Sequence, residues 1–131
     1  MYGIIDIGSN TMRLSCYRVV EKQLIHVFHK KSMAGLAGYV DEKNNMTDAG
    51  VEKAIETLED FKNIVMCIGL DKLYVIATAS LRNVDNTDKI LKKIADRTGI
   101  EIQILSGEQE AMYDYKGATY CTDTKNGMVV D

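Results

Sequence analysis

The sequence predicts an α/β domain built on a mixed sheet, and two observations carry this. Residues 2–31 fall into three apolar runs joined by brief polar turns, the pattern of consecutive antiparallel strands. From residue 47 onward, stretches with a three- and four-residue apolar period alternate with short apolar runs. That alternation calls for parallel strands joined by right-handed helical crossovers. The expected order is β-β-β-α-β-α-β-α-β, a mixed five-stranded sheet flanked by helices, plus the start of a further strand.

The first strand is Tyr2 to Ile7, short and mostly apolar, as expected of a central strand buried on both faces. Met12 to Val20 is the second. Glu21-Lys22-Gln23 is a polar turn, and Leu24 to Lys31 is the third strand. His26 and His29 have an odd spacing, which places them on opposite faces of a regular strand and argues against a shared metal. Lys30-Lys31 reads as a solvated edge. Residues 32–46, with Gly35, Gly38 and Asn44-Asn45, read as a loop.

Val51, Ala54, Ile55, Leu58, Phe61, Val65 and Ile68 form the stripe of an amphipathic helix, with Thr47 as N-cap, Asp48 in its first turn and Gly69 at its end. Leu73 to Ala77 is a buried strand, and Ser80 to Asp85 a polar connection. Asn86 or Thr87 caps a helix with the stripe Ile90, Leu91, Ile94 and Ala95, closed by Gly99. Ile100 to Leu105 is a strand, Ser106-Gly107 opens a helix from about Glu108 to Tyr120, and Met128 to Val130 starts a strand. A three-stranded meander followed by this alternation is the ribonuclease-H-like plan.

Composition narrows the function classes. The 131 residues suit one domain, and 46% apolar with 27% charged content is ordinary for a soluble globular chain. A net charge of −3 and a pI near 5.4 argue against broad nucleic-acid or anionic-membrane binding. Cys16, Cys67 and Cys121 lack pairing spacing, which fits a reducing compartment and small core residues. No apolar stretch nears the roughly 20 residues of a membrane span. A cytoplasmic protein is expected.

Three segments can carry chemistry. Asp6-Ile7-Gly8-Ser9-Asn10-Thr11 puts a carboxylate at a strand end, followed by a turn rich in donors. Asp6 is suited to hold Mg²⁺ through water or to orient a nucleophilic water, or else to close the turn as a cap. Arg82 lies just past a strand end, where it can grip a phosphate or remain a solvated loop residue. Glu108 and Glu110 occupy a strand-to-helix junction, where the helix dipole favours acids. One of them can act as general base for water. Small Ala111 favours Glu110, but spacing alone does not choose between them. Tyr113, Tyr115 and Tyr120 read as a mixture of core packing and surface display.

Together these segments resemble the N-terminal part of the exopolyphosphatase / guanosine pentaphosphate phosphohydrolase (Ppx/GppA) family, within the actin-like ATPase superfamily. Asp6 to Thr11 with Arg13-Leu14 is similar to its first phosphate motif. Ala77-Thr78-Ala79 through Arg82 to Asn86 resembles its strand-end threonine-arginine motif. Ser106-Gly107 through Glu110-Ala111 resembles its catalytic-glutamate motif. Val129-Val130-Asp131 resembles the opening of its second phosphate motif, an Asp followed by a triple-glycine turn.

The resemblance implies roles. Glu110 is the expected base. Asp6 and Asp131 are expected to flank Mg²⁺, and Gly8, Ser9, Asn10, Thr11 and Arg82 to bind phosphate. The implied reaction removes terminal phosphate from inorganic polyphosphate or pppGpp. Residues 1–131 are then expected to be an N-terminal domain cut at the second phosphate motif and inactive alone. Its partners would be the substrate, a C-terminal domain of the same protein, and a second copy in a full-length homodimer.

Departures from the family pattern are the loop Met33-Ala34-Gly35-Leu36-Ala37-Gly38, which lacks the usual charged residues, Gln109 for a frequent acid, and Met112 for an Arg. The alternatives are a non-catalytic polyphosphate- or nucleotide-sensing module, and another actin-like ATPase or sugar kinase.

Overall fold

The computed structural model describes residues 1–120, 122 and 126–130. Five strands, β1 (Tyr2–Ile7), β2 (Met12–Val20), β3 (Gln23–Ser32), β4 (Lys72–Ala77) and β5 (Gln103–Ile104), form one sheet in the order β3-β2-β1-β4-β5. The β1–β2 and β2–β3 pairs are antiparallel, and the β1–β4 and β4–β5 pairs are parallel. The helices are α1 (Asp48–Ile68), the short α2 (Ala79–Arg82), α3 (Thr87–Thr98) and α4 (Gly107–Thr119). This is the expected mixed α/β sheet with flanking helices.

The core lies on one face of the sheet. Ile5 and Ile7 of β1, Leu14 and Cys16 of β2 and Ala77 of β4 are fully buried with Ala54, Ile55 and Leu58 of α1 and Ile94 of α3. Period 2 in the strands and the helical stripe in α1 and α3 meet there. The opposite face is open, so β1 is buried on one side only: Ile4 is half-buried and Asp6 exposed. α4 stands off this face without a buried residue. Tyr113, Tyr115 and Tyr120 are therefore all exposed rather than partly core, and the Tyr120 hydroxyl accepts from the Leu24 N–H at 3.0 Å. Cys16 is buried as expected of a core thiol, Cys67 is exposed, and Cys121 lies outside the described residues.

Local signals explain the element ends. Thr47 caps α1 by accepting from the Gly50 N–H, and Gly69 closes it in the left-handed conformation. Glu21 and Lys22, both at positive φ, form the two-residue turn between β2 and β3, so Gln23 belongs to the strand. Asn86 occupies the N-cap position of α3 without capping it. Its amide instead accepts from the Met46 N–H at 3.0 Å and donates to the Met46 carbonyl at 2.9 Å.

Several expected boundaries shift. The loop after β3 contains a 3-10 turn at Leu36–Tyr39, and the polar connection after β4 begins with α2. The fifth strand contracts to two residues, because among the described residues β4 is its only neighbour in the sheet and pairs with it over Ile76 and Ala77 alone. Met128, Val129 and Val130 are exposed and form no strand. Among the described residues they have no ladder partner, and a strand needs one. Asp131 lies outside the described residues.

β3 carries an irregularity that period 2 does not anticipate. Cys16 pairs with Phe28 and Tyr17 with His26, which leaves Val27 as an extra residue, a β-bulge. The bulge reverses the side-chain parity between His26 and His29. They share one face, with ring centroids 5.4 Å apart, and not opposite faces as their spacing predicted.

Candidate functional site

A cleft of about 340 Å³ opens at the carboxyl ends of β1 and β4, on the uncovered side of the sheet. Asp6, Thr78, Glu110, Arg13 and Asp114 supply its polar lining, and Ile76, Leu105 and Tyr113 its apolar wall. Ligands of open α/β sheets bind at this kind of position. A second cleft of about 350 Å³ lies at the far end of α4, lined by Ala118, Thr119, Thr122 and Met128 among others, with no charged side chain among the described residues. The ionisable chemistry is thus concentrated at the strand ends.

The Gly8–Asn10 turn follows Asp6 directly. Gly8 donates its N–H to the Thr11 carbonyl at 3.0 Å, and a Cβ on it would lie 2.9 Å from that oxygen. Only glycine closes the turn without displacement. The carbonyls of Ser9 and Asn10 accept from the N–H groups of Ala37 and Gly35, each at 2.8 Å. The loop lacking charged side chains therefore buttresses the Gly8–Asn10 turn through its backbone. Ser9 and Asn10 are exposed, and Thr11 is half-buried. None of these turn residues lines the cleft itself.

α2 is fixed by Ser80, whose buried hydroxyl donates to the Ile7 carbonyl at 2.7 Å. That bond sets Arg82 beside α4. One Arg82 nitrogen, Nη1, donates both to Glu110 Oε2 at 2.9 Å and to the Leu105 carbonyl at 2.8 Å. Arg82 does not line the cleft; it stands behind Glu110. The guanidinium that faces the cleft belongs to Arg13, the cross-strand partner of Asp6.

Glu110 and Glu108 part company here. Ser106 and Gln109 form a reciprocal capping box at the start of α4. This leaves Glu108 exposed and turns Glu110 onto the cleft. Gln109, which replaces an acid of the resembled motif, retains the backbone bond to Ser106.

Desolvation by the surrounding strand-end residues raises the Asp6 pKa above its ordinary 3.8, although the residue as a whole is exposed. Arg13 opposes the shift, while Glu110 and Asp114 add to it. Asp6, Glu110 and Asp114 thus share one field. Among the described residues no three His, Cys, Asp or Glu side chains are arranged to hold a metal ion. A single cleft carboxylate such as Asp6 nevertheless fits a Mg²⁺ that keeps most of its water.

The sequence reading did not single out Asp114, and it placed Thr78 and Arg13 in motifs without giving either a role of its own. Asp114 lies one turn beyond Glu110, and Arg13 opposite Asp6 across a short hairpin. Helical i,i+4 spacing and hairpin register were the available signals.

This combination of sheet and strand-end cleft defines a domain of actin-like ATPase fold. A sequence model of the Ppx/GppA phosphatase family matches residues 15–131, and the chain belongs to that family. Exopolyphosphatase 1 of Mycobacterium tuberculosis and that of Mycobacterium bovis are each 31% identical over 113 residues, covering 83% of this chain and 32% of the relative. The chain therefore spans about a third of the length of these curated relatives. The crystal structure of an exopolyphosphatase from Cytophaga hutchinsonii superimposes with a TM-score of 0.89 at 22% identity, over 97% of this chain and 41% of that one. An Aquifex aeolicus Ppx/GppA family member gives 0.84 at 23% identity, over 91% and 39%. These structures share the fold. Among the described residues no helix is long and apolar enough to cross a membrane.

Proposed function

We propose that this chain supplies one wall of a phosphoanhydride hydrolase site, as the N-terminal domain of a Ppx/GppA-type phosphatase. The substrate is inorganic polyphosphate or the 5′ end of pppGpp. A water attacks the terminal phosphorus in line, the bridging P–O bond breaks, and orthophosphate and a chain shortened by one phosphate leave. Glu110 takes the proton of the attacking water. Arg82 holds Glu110 in place. Arg13 and the Gly8–Thr11 turn meet the phosphate oxygens, where positioning and charge neutralisation dominate the barrier. The clamp role implied for Arg82 requires its pair with Glu110 to open.

Asp6, together with Asp131, would hold a largely hydrated Mg²⁺. That ion supplies charge neutralisation to the phosphate oxygens.

The observation that carries this reading is the placement of Glu110 on the same cleft as Asp6 and Arg13, with Arg82 bonded behind it. The exopolyphosphatase relatives support the substrate class.

The test is Glu110→Gln in the full-length protein, with phosphate release followed from polyphosphate and from pppGpp. Release falls on the order of 10²- to 10⁴-fold if Glu110 is the base. Unchanged release refutes that assignment. A wild-type protein that binds either ligand and releases no phosphate is a sensing module instead.

A further inference from the structure

We propose that His26 and His29 form a two-imidazole site for a first-row transition-metal dication on the exposed face of the β2–β3 hairpin, apart from the phosphate cleft. The bulge at Val27 turns both rings to one face, with centroids 5.4 Å apart and planes inclined by 37°. A metal bound to imidazole nitrogen at about 2.0–2.1 Å lies about 3.2 Å from the ring centroid. Two imidazoles on one ion at angles between square-planar and tetrahedral then have centroids roughly 4.5–5.2 Å apart. The observed spacing is within a few tenths of an ångström of that range, and exposed side chains adjust by this much through small rotations about χ1 and χ2. Tyr17, the cross-strand partner of His26, packs edge-on against it at 5.3 Å and limits how that ring can turn.

The donor chemistry selects the ion. Two neutral nitrogen donors suit Cu²⁺, Ni²⁺ or Zn²⁺, with water completing the shell. Hard Mg²⁺ and Ca²⁺ need a set of oxygen ligands, usually with carboxylates, whereas residues 22–40 contain no Asp or Glu and only the Ser15 hydroxyl faces His29 across the register. The site therefore discriminates against the cation proposed for the phosphate cleft. It sits on the edge strand with both rings exposed, so an ion reaches it without any opening of the fold.

The experiment titrates the 131-residue chain with Cu²⁺ and Ni²⁺ in a Cys67→Ser, Cys121→Ser background, which removes competing thiols. Cu²⁺ binding is read by electron paramagnetic resonance, and Ni²⁺ binding by the rise in thermal midpoint. One equivalent with a two-nitrogen hyperfine pattern is expected. His26→Gln and His29→Gln should each weaken binding at least tenfold and reduce the pattern to one nitrogen. Both positions are exposed, so circular dichroism should stay unchanged. Two independent equivalents, each removed by one substitution, overturn the proposal. So does binding that neither substitution affects. Failure here leaves the phosphatase reading untouched, because phosphate release is not measured.

Discussion

Arg82 and Glu110 are joined by an ion pair of 2.9 Å, and the same Arg82 nitrogen donates to the Leu105 carbonyl at 2.8 Å. The pair ties the end of α2 to the first turn of α4 across the strand end of β5. Arg82 thereby fixes where the Glu110 carboxylate sits in the cleft.

Arg82→Gln should therefore act on turnover more than on affinity. If Glu110 is the general base proposed above, displacing it by about 1 Å can cost on the order of 10²-fold in rate. We expect kcat for phosphate release to fall by about that factor with KM little changed. Arg82→Lys keeps the charge but lacks the rigid, planar guanidinium that sets one nitrogen between Glu110 and the Leu105 carbonyl, so its kcat should fall between wild type and Arg82→Gln. Arg13→Gln should show the opposite split, a raised KM with a smaller loss of kcat, because Arg13 lines the cleft. Steady-state kinetics of the three variants in the full-length protein separates the roles. Arg82→Gln should also destabilise the fold by about 1 kcal/mol in urea titrations, since the pair is partly solvated.

Asp6→Asn should stabilise the protein at neutral pH while impairing phosphate release. Desolvation, helped by Glu110 and Asp114, raises the native-state pKa of Asp6 above 3.8. The native state then binds the proton more tightly than the unfolded chain. Stability from this group is fully present below pH 3.8 and is lost as pH rises through the higher native value. Asparagine resembles the protonated acid and avoids that loss. Urea midpoints of Asp6→Asn should exceed wild type at neutral pH, and the gap should close below pH 3.8. A variant less stable than wild type at neutral pH refutes the sign.

Gly8→Ala probes the turn itself. Its Cβ would meet the Thr11 carbonyl oxygen at 2.9 Å, and backbone cannot swing aside as a side-chain end can. We expect a loss of about 1–3 kcal/mol, typical of an overpacked position. Phosphate affinity should drop as well, because the displaced turn carries Ser9 and Asn10. Denaturation midpoints and competition by inorganic phosphate measure the two effects separately.

Periodicity and turn chemistry made much of this fold legible. The stripe from Val51 to Ile68 and the cap at Thr47 appear as read, because both are local properties of the chain. Four-residue α2 has no period to detect, and its place depends on Ser80 bonding Ile7, far away in sequence. The Val27 bulge was hidden for a related reason: one extra residue inverts parity without changing composition. At the strand-end cleft, the position of Asp6 was legible from its strand end, while helix-start spacing left Glu108 and Glu110 open until the capping box turned Glu110 onto the cleft. The company that Asp6 and Glu110 keep was not legible. That Arg82 backs Glu110, and that Arg13 and not Arg82 faces the cleft, follows from the packing of separate elements.

Asn86 supplies the sharpest separation of structure from chemistry. It falls at the end of the motif that contains Thr78 and Arg82, so a substrate contact would be a natural reading. Its amide is instead spent on the Met46 backbone, with bonds of 3.0 and 2.9 Å, and does not line the strand-end cleft. Met46 is buried, so Asn86→Ala would leave both backbone groups short of a partner. An unsatisfied buried group costs about 1–3 kcal/mol, so a total loss of about 2–6 kcal/mol is expected for the two. Asn86→Asp keeps the acceptor but sets a carboxylate against the Met46 carbonyl, so it should not rescue. Well below the unfolding temperature, both variants should keep kcat and KM within about twofold, since surviving native molecules retain the Arg82–Glu110 geometry. Kinetics and urea titration on the same preparations decide it. A large fall in kcat without a fall in stability would place Asn86 in the chemistry after all.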